Sequence, residues 1–390
     1  MERRLRIAVL MASAGSRLGG LETIAREFGA GLAGRAHEVT LVTGVGPGAA
    51  LQADLKSGGE GLGLVRVSML GQESVAARLA ARVRGVHPSI VEARTFMVAV
   101  RRSRRAMAAL RVADVISAHF EVEAVEASRG LGTPVVYYYP GPVDPRRLAL
   151  CRPRRMVAIS RMVAEYHDRL AERMALPPVD GVVVPGVREE SIAEGPAPGV
   201  GKEPPEAIFT GRLDTTGEKR VEKLIEWWPR VVETVPEARL TLVGGGSALE
   251  ALRREVGRRG LARSISLPGP VSRGEVMERL RRASLFVFPS SFETFGVAPL
   301  EALAAGLPVV ASDIPALRES LAEAALLLPV EDDGLWISTL RRLLSDQRER
   351  VELATRGPAR ARQLTWGRQS AAYEAHLLAA SRNDFQKTHS

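Results

Sequence analysis

Short apolar runs alternate along this chain with amphipathic helical stretches, and that alternation restricts the fold to parallel sheets covered by helices. In the first half the predicted strands are Leu5 to Ala12, Glu38 to Thr43, Leu64 to Leu70, Asp114 to Ala118, Pro134 to Tyr139, Val157 to Ser160 and Val182 to Val184. In the second they are Ala207 to Thr210, Arg239 to Val243, Ser264 to Leu267, Leu285 to Phe288, Pro308 to Ala311 and Ala325 to Leu328. Each series suits one doubly wound domain, and 390 residues are enough for two such domains, each with its own core.

Between the two series, Glu194 to Glu206 is rich in proline and glycine and has little to bury, so it reads as an interdomain linker. The expected domains are 1–190 and 191–365. Trp366 to Ala380 has the amphipathic pattern of one last helix, and the polar tail from Ser381 reads as frayed. No repeat at a fixed solenoid period is evident.

The sequence excludes several classes of protein. No stretch approaches 18 uninterrupted apolar residues, so no spanning helix is expected. The opening run from Arg3 to Ala14 has the charge and small residues of a signal peptide, but its apolar part is short and a glycine-rich loop follows, which favours a first buried strand. A single cysteine, Cys151, rules out an intramolecular disulfide framework or a cysteine cluster for zinc and fits a reducing, cytoplasmic setting. The net charge of +9 rests on arginine, the only lysines being Lys56, Lys202, Lys219, Lys223 and Lys387. With no zinc-finger or aromatic RNA-binding signature, no nucleic-acid partner is expected.

The segment richest in chemistry is Pro289-Ser290-Ser291-Phe292-Glu293-Thr294-Phe295-Gly296-Val297-Ala298-Pro299-Leu300-Glu301. A strand ends at Pro289 and a helix is predicted over Ala298 to Ala305, closed by Gly306, so Glu293 lies in the connecting loop and Glu301 in the first helical turns. The unpaired amides and partial positive charge of a helix N-terminus suit a phosphate. A surface Glu293 and a dipole-favoured Glu301 would explain each glutamate singly.

The string from Pro289 to Ser312 as a whole resembles the Glu-x7-Glu signature of the family 4 glycosyltransferases, retaining enzymes of the GT-B fold with two Rossmann-like domains facing across a cleft. The resemblance implies that Glu293 meets sugar hydroxyls and Glu301 the ribose of a nucleotide-sugar donor, with the amides of Phe295, Gly296 and Val297 near the sugar and diphosphate. It implies too that the last helix crosses back to the first domain.

Other segments fit this resemblance to different degrees. Within Gly211 to Arg220, which follows the first strand of the second domain, Arg212 and Lys219 resemble the family's diphosphate-binding pair, two cations that would stabilise charge as the donor bond breaks. The family often has Lys-Gly, and Arg220 replaces that glycine. Gly19-Gly20-Leu21-Glu22 resembles the Gly-Gly-x-Glu loop that would set Gly20 across the cleft from Arg212. Gly269-Pro270-Val271 falls where members hold the base through backbone groups, so Val271 joins the candidates, although Gly-Pro is first a turn signal.

The acceptor side departs from the family. Many relatives carry a histidine near the reacting sugar after a strand such as Pro134-Val135-Val136, and here Tyr137-Tyr138-Tyr139-Pro140 follows instead. His119, after the preceding strand, is the alternative candidate, as either a cleft residue or a structural one. With no Asp-x-Asp motif, no metal or cofactor is expected. The basic run Arg101 to Arg105, with Arg152, Arg154 and Arg155, suits an acidic acceptor, a peripheral contact with an anionic membrane, or simply a solvated helix face. The expected activity is transfer of a sugar, a hexosyl group by the resemblance, to an acceptor hydroxyl. An epimerase or phosphorylase of the same fold and a non-catalytic nucleotide-sugar-binding protein are the alternatives.

Overall fold

The structure, a computed structural model, describes residues 3–12, 20–45, 62–69, 88–141, 147–148, 151–174 and 176–382, with positions 76, 79, 80 and 82 between them. Its contacts divide the chain into two units, one formed by residues 1–184 with 366–390 and the other by residues 185–365.

Unit 1 holds a parallel sheet of seven strands: β1 (Arg6–Met11), β2 (Glu38–Val45), β3 (Leu62–Ser68), β4 (Val115–His119), β5 (Val135–Tyr139), β6 (Arg155–Ala158) and β7 (Gly181–Val182). Their order is β3-β2-β1-β4-β5-β6-β7, so the direction of winding reverses between β1 and β4. Among the described residues its helices include α1 (Gly20–Gly34), α2 (Pro88–Arg102), α3 (Arg104–Val112), α4 (Val122–Ala127) and α5 (Arg161–Met174). Ser103 breaks α2 from α3, its hydroxyl capping the amide of Ala106 at 3.2 Å. Every residue of β4 is buried, the polar Ser117 and His119 included.

Unit 2 holds six parallel strands: β8 (Glu206–Thr210), β9 (Arg239–Val243), β10 (Ile265–Gly269), β11 (Leu285–Phe288), β12 (Val309–Ser312) and β13 (Leu326–Leu328). The order β10-β9-β8-β11-β12-β13 reverses between β8 and β11. In open α/β sheets the crevice outside the carboxyl ends of the strands at such a reversal is where ligands bind. Eight helices cover the sheet: α6 (Val221–Val232), α7 (Leu249–Arg258), α8 (Arg273–Arg282), α9 (Val297–Ala304), α10 (Pro315–Leu321), α11 (Asp333–Ser345), α12 (Gln347–Ala354) and α13 (Gly357–Gln363). Trp227 of α6 stacks on Trp336 of α11, with ring centroids 5.3 Å apart, and both rings are buried. Such a pair contributes about 0.5–1.5 kcal/mol beyond the area it buries.

The last helix, α14 (Trp366–Ser381), packs on α1 in unit 1. It brings the buried carboxylate of Glu374 into the core, where it finds two partners. His37 Nδ1 accepts from the Leu5 amide at 3.1 Å, which leaves the proton on Nε2 to be donated to Glu374 at 2.5 Å. Arg35 supplies a second donor to Glu374 at 2.6 Å. A buried carboxylate with these two partners fixes the register of α14 against α1 and β1, because removing either partner leaves a charge in the core.

The proline- and glycine-rich stretch 194–206 is not a linker. Ala197 and Val200 are buried in the core of unit 2, and a Cβ on Gly199 would stand 2.2 Å from the backbone of Arg282. The buried Arg350 also donates to Val200 O at 2.9 Å. The composition reflects close backbone packing, since glycine admits contacts that a side chain would block.

Candidate active site

The loops that follow β8, β9, β10 and β11 all leave the carboxyl end of the unit 2 sheet, and the second-domain candidates lie on three of them. After β11, Ser290 and Ser291 turn back on the loop that follows β8. Ser291 N donates to Glu218 O at 2.8 Å and Ser290 Oγ donates to the same oxygen at 3.0 Å. This double clasp sets Lys219 beside Glu293, and Lys219 Nζ donates to Glu293 Oε1. Their side chains are 20% and 11% exposed, so the pair is largely withdrawn from solvent while still reachable. The ammonium also lies over the Phe288 ring, 5.4 Å from its centroid.

Arg220, the departure from the family's glycine, keeps the backbone that a glycine would adopt. Its φ is +48°, in the left-handed region, and it forms the N-cap of α6. That conformation costs a non-glycine residue about 1–2 kcal/mol. The guanidinium offsets this by donating to Val330 O and meeting Glu331 at 3.5 Å and Asp333 at 3.9 Å. Arg220 therefore ties the Lys219 loop to the segment that enters α11.

Arg212 is more open, its side chain 65% exposed and paired with Asp214 at 3.2 Å. Asp214 in turn accepts from Ser247 N at 3.3 Å, which joins the Arg212 loop to the loop after β9. That loop, Gly244-Gly245-Gly246, was not singled out from sequence. A Cβ on Gly244 would stand 1.8 Å from Gly211 O, and one on Gly246 would stand 2.4 Å from Leu213 O. The available signal was three glycines between a strand and a helix, where backbone must approach backbone.

Helix α9 starts at Val297, after Gly296 with φ +92° and with no side-chain cap on its N-terminus. The Phe295 ring is buried and anchors the loop, and the first amides of α9, as at any helix start, lack intrahelical acceptors. Glu301 lies further along α9, 17% exposed, and meets Arg273 Nη2 at 3.3 Å. Arg273 opens α8, just beyond Gly269 (φ +88°) and the partly buried Val271. Arg273 is a second residue that the sequence did not single out.

Two first-domain expectations fare differently. Gly20 opens α1, while Gly19 lies outside the described residues. The reading of His119 as a cleft residue is corrected by its burial: the side chain has no exposed surface and is packed among Phe28, Phe120, Tyr138 and Tyr373. Its Nε2 hydrogen-bonds Ser117 Oγ at 2.8 Å, and the same hydroxyl meets Tyr373 Oη of α14 at 2.8 Å. Burial lowers its pKa to about 3, so the ring is neutral and cannot serve as an exposed base. The tyrosine run is core as well, Tyr137 donating to Phe120 O at 2.8 Å and Tyr138 to Val183 O at 2.6 Å.

A different acid lies at the winding reversal of unit 1. Glu121 follows the carboxyl end of β4, after Phe120 with φ +64°, and its Oε2 is enclosed with no hydrogen-bond partner among the described residues. Burial, aided by the charges of Glu22 and Glu92, raises its pKa to about 8. Among the described residues, no group of three His, Cys, Asp or Glu side chains has the arrangement of a metal site. No helix among them is long and apolar enough to cross a membrane.

Comparison with known proteins places this geometry. The first part of the chain, residues 18–186, matches the description Glycosyltransferase Family 4, and residues 192–360 match Glycosyl transferases group 1. Sucrose-phosphate synthase from Thermosynechococcus elongatus superposes with a TM-score of 0.74 at 18% identity, covering 96% of this chain and 99% of that one. HepE of Anabaena, solved in complex with UDP-glucose, gives 0.71 at 16% identity over 96% and 100%. The two parallel sheets and these likenesses define the class, the GT-B fold.

The chain belongs to glycosyltransferase family 4. It is 28% identical over 253 residues to D-inositol 3-phosphate glycosyltransferase of Jonesia denitrificans, covering 62% of this chain and 54% of the relative. With phosphatidyl-myo-inositol mannosyltransferase of Mycolicibacterium smegmatis it shares 30% over 217 residues, 52% of this chain and 55% of that one. The chain thus spans about half the length of the curated relatives it matches.

Proposed function

We propose that the protein is a retaining glycosyltransferase that moves a sugar, of the hexosyl class, from a nucleotide-sugar donor to an acceptor hydroxyl. The observation that carries this reading is the Lys219–Glu293 pair, which holds a cation and a carboxylate side by side at the winding reversal of unit 2.

In this reading the donor's diphosphate lies against the N-terminus of α9, with Lys219 and the exposed Arg212 neutralising it, while Glu293 accepts from sugar hydroxyls and Glu301 from the ribose. The bond from the anomeric carbon to the diphosphate oxygen breaks, its electron pair leaving with the phosphate. The acceptor oxygen bonds to that carbon on the same face, and its proton passes to the departing phosphate oxygen. Cations aimed at the charge that develops on that oxygen lower the barrier. No metal or cofactor is needed in this scheme, and His119 has no part in it. That HepE was solved with UDP-glucose supports a nucleotide sugar as the donor class.

Arg101, Arg102, Arg104 and Arg111 line one depression where α2 meets α3. We propose that this surface gives a peripheral contact with an anionic membrane from the cytoplasmic side, and co-sedimentation with anionic against neutral vesicles tests it. Donor turnover measured with an acceptor, without one, and with inorganic phosphate tests the main reading. Transfer only with a hydroxyl acceptor supports it. Turnover that requires phosphate makes the protein a phosphorylase, turnover without acceptor or phosphate fits an epimerase or hydrolase, and binding without turnover makes it a nucleotide-sugar-binding protein.

A further inference from the structure

We infer that Arg273 is a positioning residue of the donor site, holding the Glu301 carboxylate in the orientation that receives the ribose hydroxyls. The inference rests on the assignment of Glu301 to the ribose made above.

Three observations carry it. Arg273 is seated by a formed helix start: Ser272 is the N-cap of α8 and its Oγ accepts from Glu275 N at 3.2 Å. From there the guanidinium reaches another element, its Nη2 standing 3.3 Å from Glu301 Oε1 on α9. Other arginines of α8 behave differently, since Arg279 and Arg282 pair with Glu275 and Glu278 within the helix itself. Finally, the two side chains are only 22% and 17% exposed, so the contact is shielded more than the surface pairs that contribute little.

The chemistry follows from what each group can do. A guanidinium only donates and has a planar fork, whereas a carboxylate accepts at two oxygens with about four lone-pair sites. Glu301 can therefore keep its contact with Arg273 and still accept from vicinal hydroxyls. A carboxylate fixed beforehand loses less rotamer freedom when the ligand arrives, so the contact strengthens recognition of the ribose without touching it.

Calorimetry on the intact chain separates this role from a structural one. The probe is whichever of UDP, GDP and ADP binds the wild type most tightly, together with its 2′,3′-dideoxy analogue. The wild type is expected to favour the ribose form about tenfold or more, a hydrogen bond to a charged group having that magnitude. Arg273→Ala should lose most of that preference through weaker binding of the ribose form while affinity for the dideoxy form stays put, and Arg273→Lys should recover part of it. The Arg273→Ala/Glu301→Gln double variant should be no worse than Glu301→Gln alone. If Arg273→Ala weakens both ligands equally, or neither, while Glu301→Gln abolishes the preference, the positioning role falls and the ribose assignment stands. If Glu301→Gln leaves the preference intact, both fall.

Discussion

Lys219 and Glu293 lie 74 residues apart in the chain and share a hydrogen bond in the fold. Each is the partner the other needs for burial, and in the proposed reaction each has a separate task, the cation on the leaving diphosphate and the carboxylate on the sugar.

The first consequence is kinetic. Replacing Lys219 with alanine should cut transfer by about 10²-fold or more, as loss of a preorganised charge contact does. Steady-state rates on a variant whose melting curve is unchanged check this, and near-normal turnover would remove Lys219 from the leaving-group role.

Arg220 makes a prediction about stability. Its left-handed backbone favours glycine, and its guanidinium holds Val330, Glu331 and Asp333. Arg220→Ala loses the anchor and keeps the strain, whereas Arg220→Gly loses the anchor and relieves the strain. The glycine variant should therefore unfold at a higher temperature than the alanine variant, by about 1 kcal/mol in stability. Thermal melts of the three proteins decide it, and an alanine variant as stable as the glycine one would mean that the backbone at this position carries no strain.

One acid, Glu121, and one base, His119, give a pH dependence of known sign. Glu121 has its pKa raised from 4.5 to about 8, so the native state holds a proton that the unfolded chain releases between those values. The stability this contributes is complete below pH 4.5 and is lost as pH rises through 8. His119, lowered to about 3, does the reverse: its contribution is present above 6.5 and is lost as pH falls toward 3. The melting temperature of the wild type should fall relative to that of Glu121→Gln as pH rises between about 5 and 8.5. Ring resonances of His119 should not titrate between pH 5 and 8. A parallel pair of melting profiles, or a titrating His119, would contradict these environments.

Much of the fold was legible because parallel strands buried on both faces tend to be continuous apolar runs, as the fully buried Leu-Phe-Val-Phe of β11 is. The Glu293 and Glu301 loop was legible because a glycine between a strand and a helix fixes where α9 begins. Other features were not. The stretch 194–206 has the composition of a linker, yet Gly199 is small so that it can lie against the backbone of Arg282, a reason invisible without the partner. His119 follows a strand at the right end of a sheet, and only the arrival of Tyr373 from α14 and Phe28 from α1 shows that it is enclosed. Arg273 carried no local signal, because its meaning lies in the contact with Glu301 across two helices. Contacts distant in sequence, rather than local propensity, account for these three misses.

In the proposed reaction Glu293 and Glu301 have different tasks on one donor, and calorimetry with the intact nucleotide sugar and with the free nucleoside diphosphate separates them. Glu301→Gln should weaken both ligands together, by roughly ten- to a hundredfold for a contact of about 1.5–3 kcal/mol. Glu293→Gln should weaken the intact donor by a similar factor and leave the nucleoside diphosphate unchanged. Equal losses on the two ligands for Glu293→Gln would contradict the sugar contact and with it the assignment of the site.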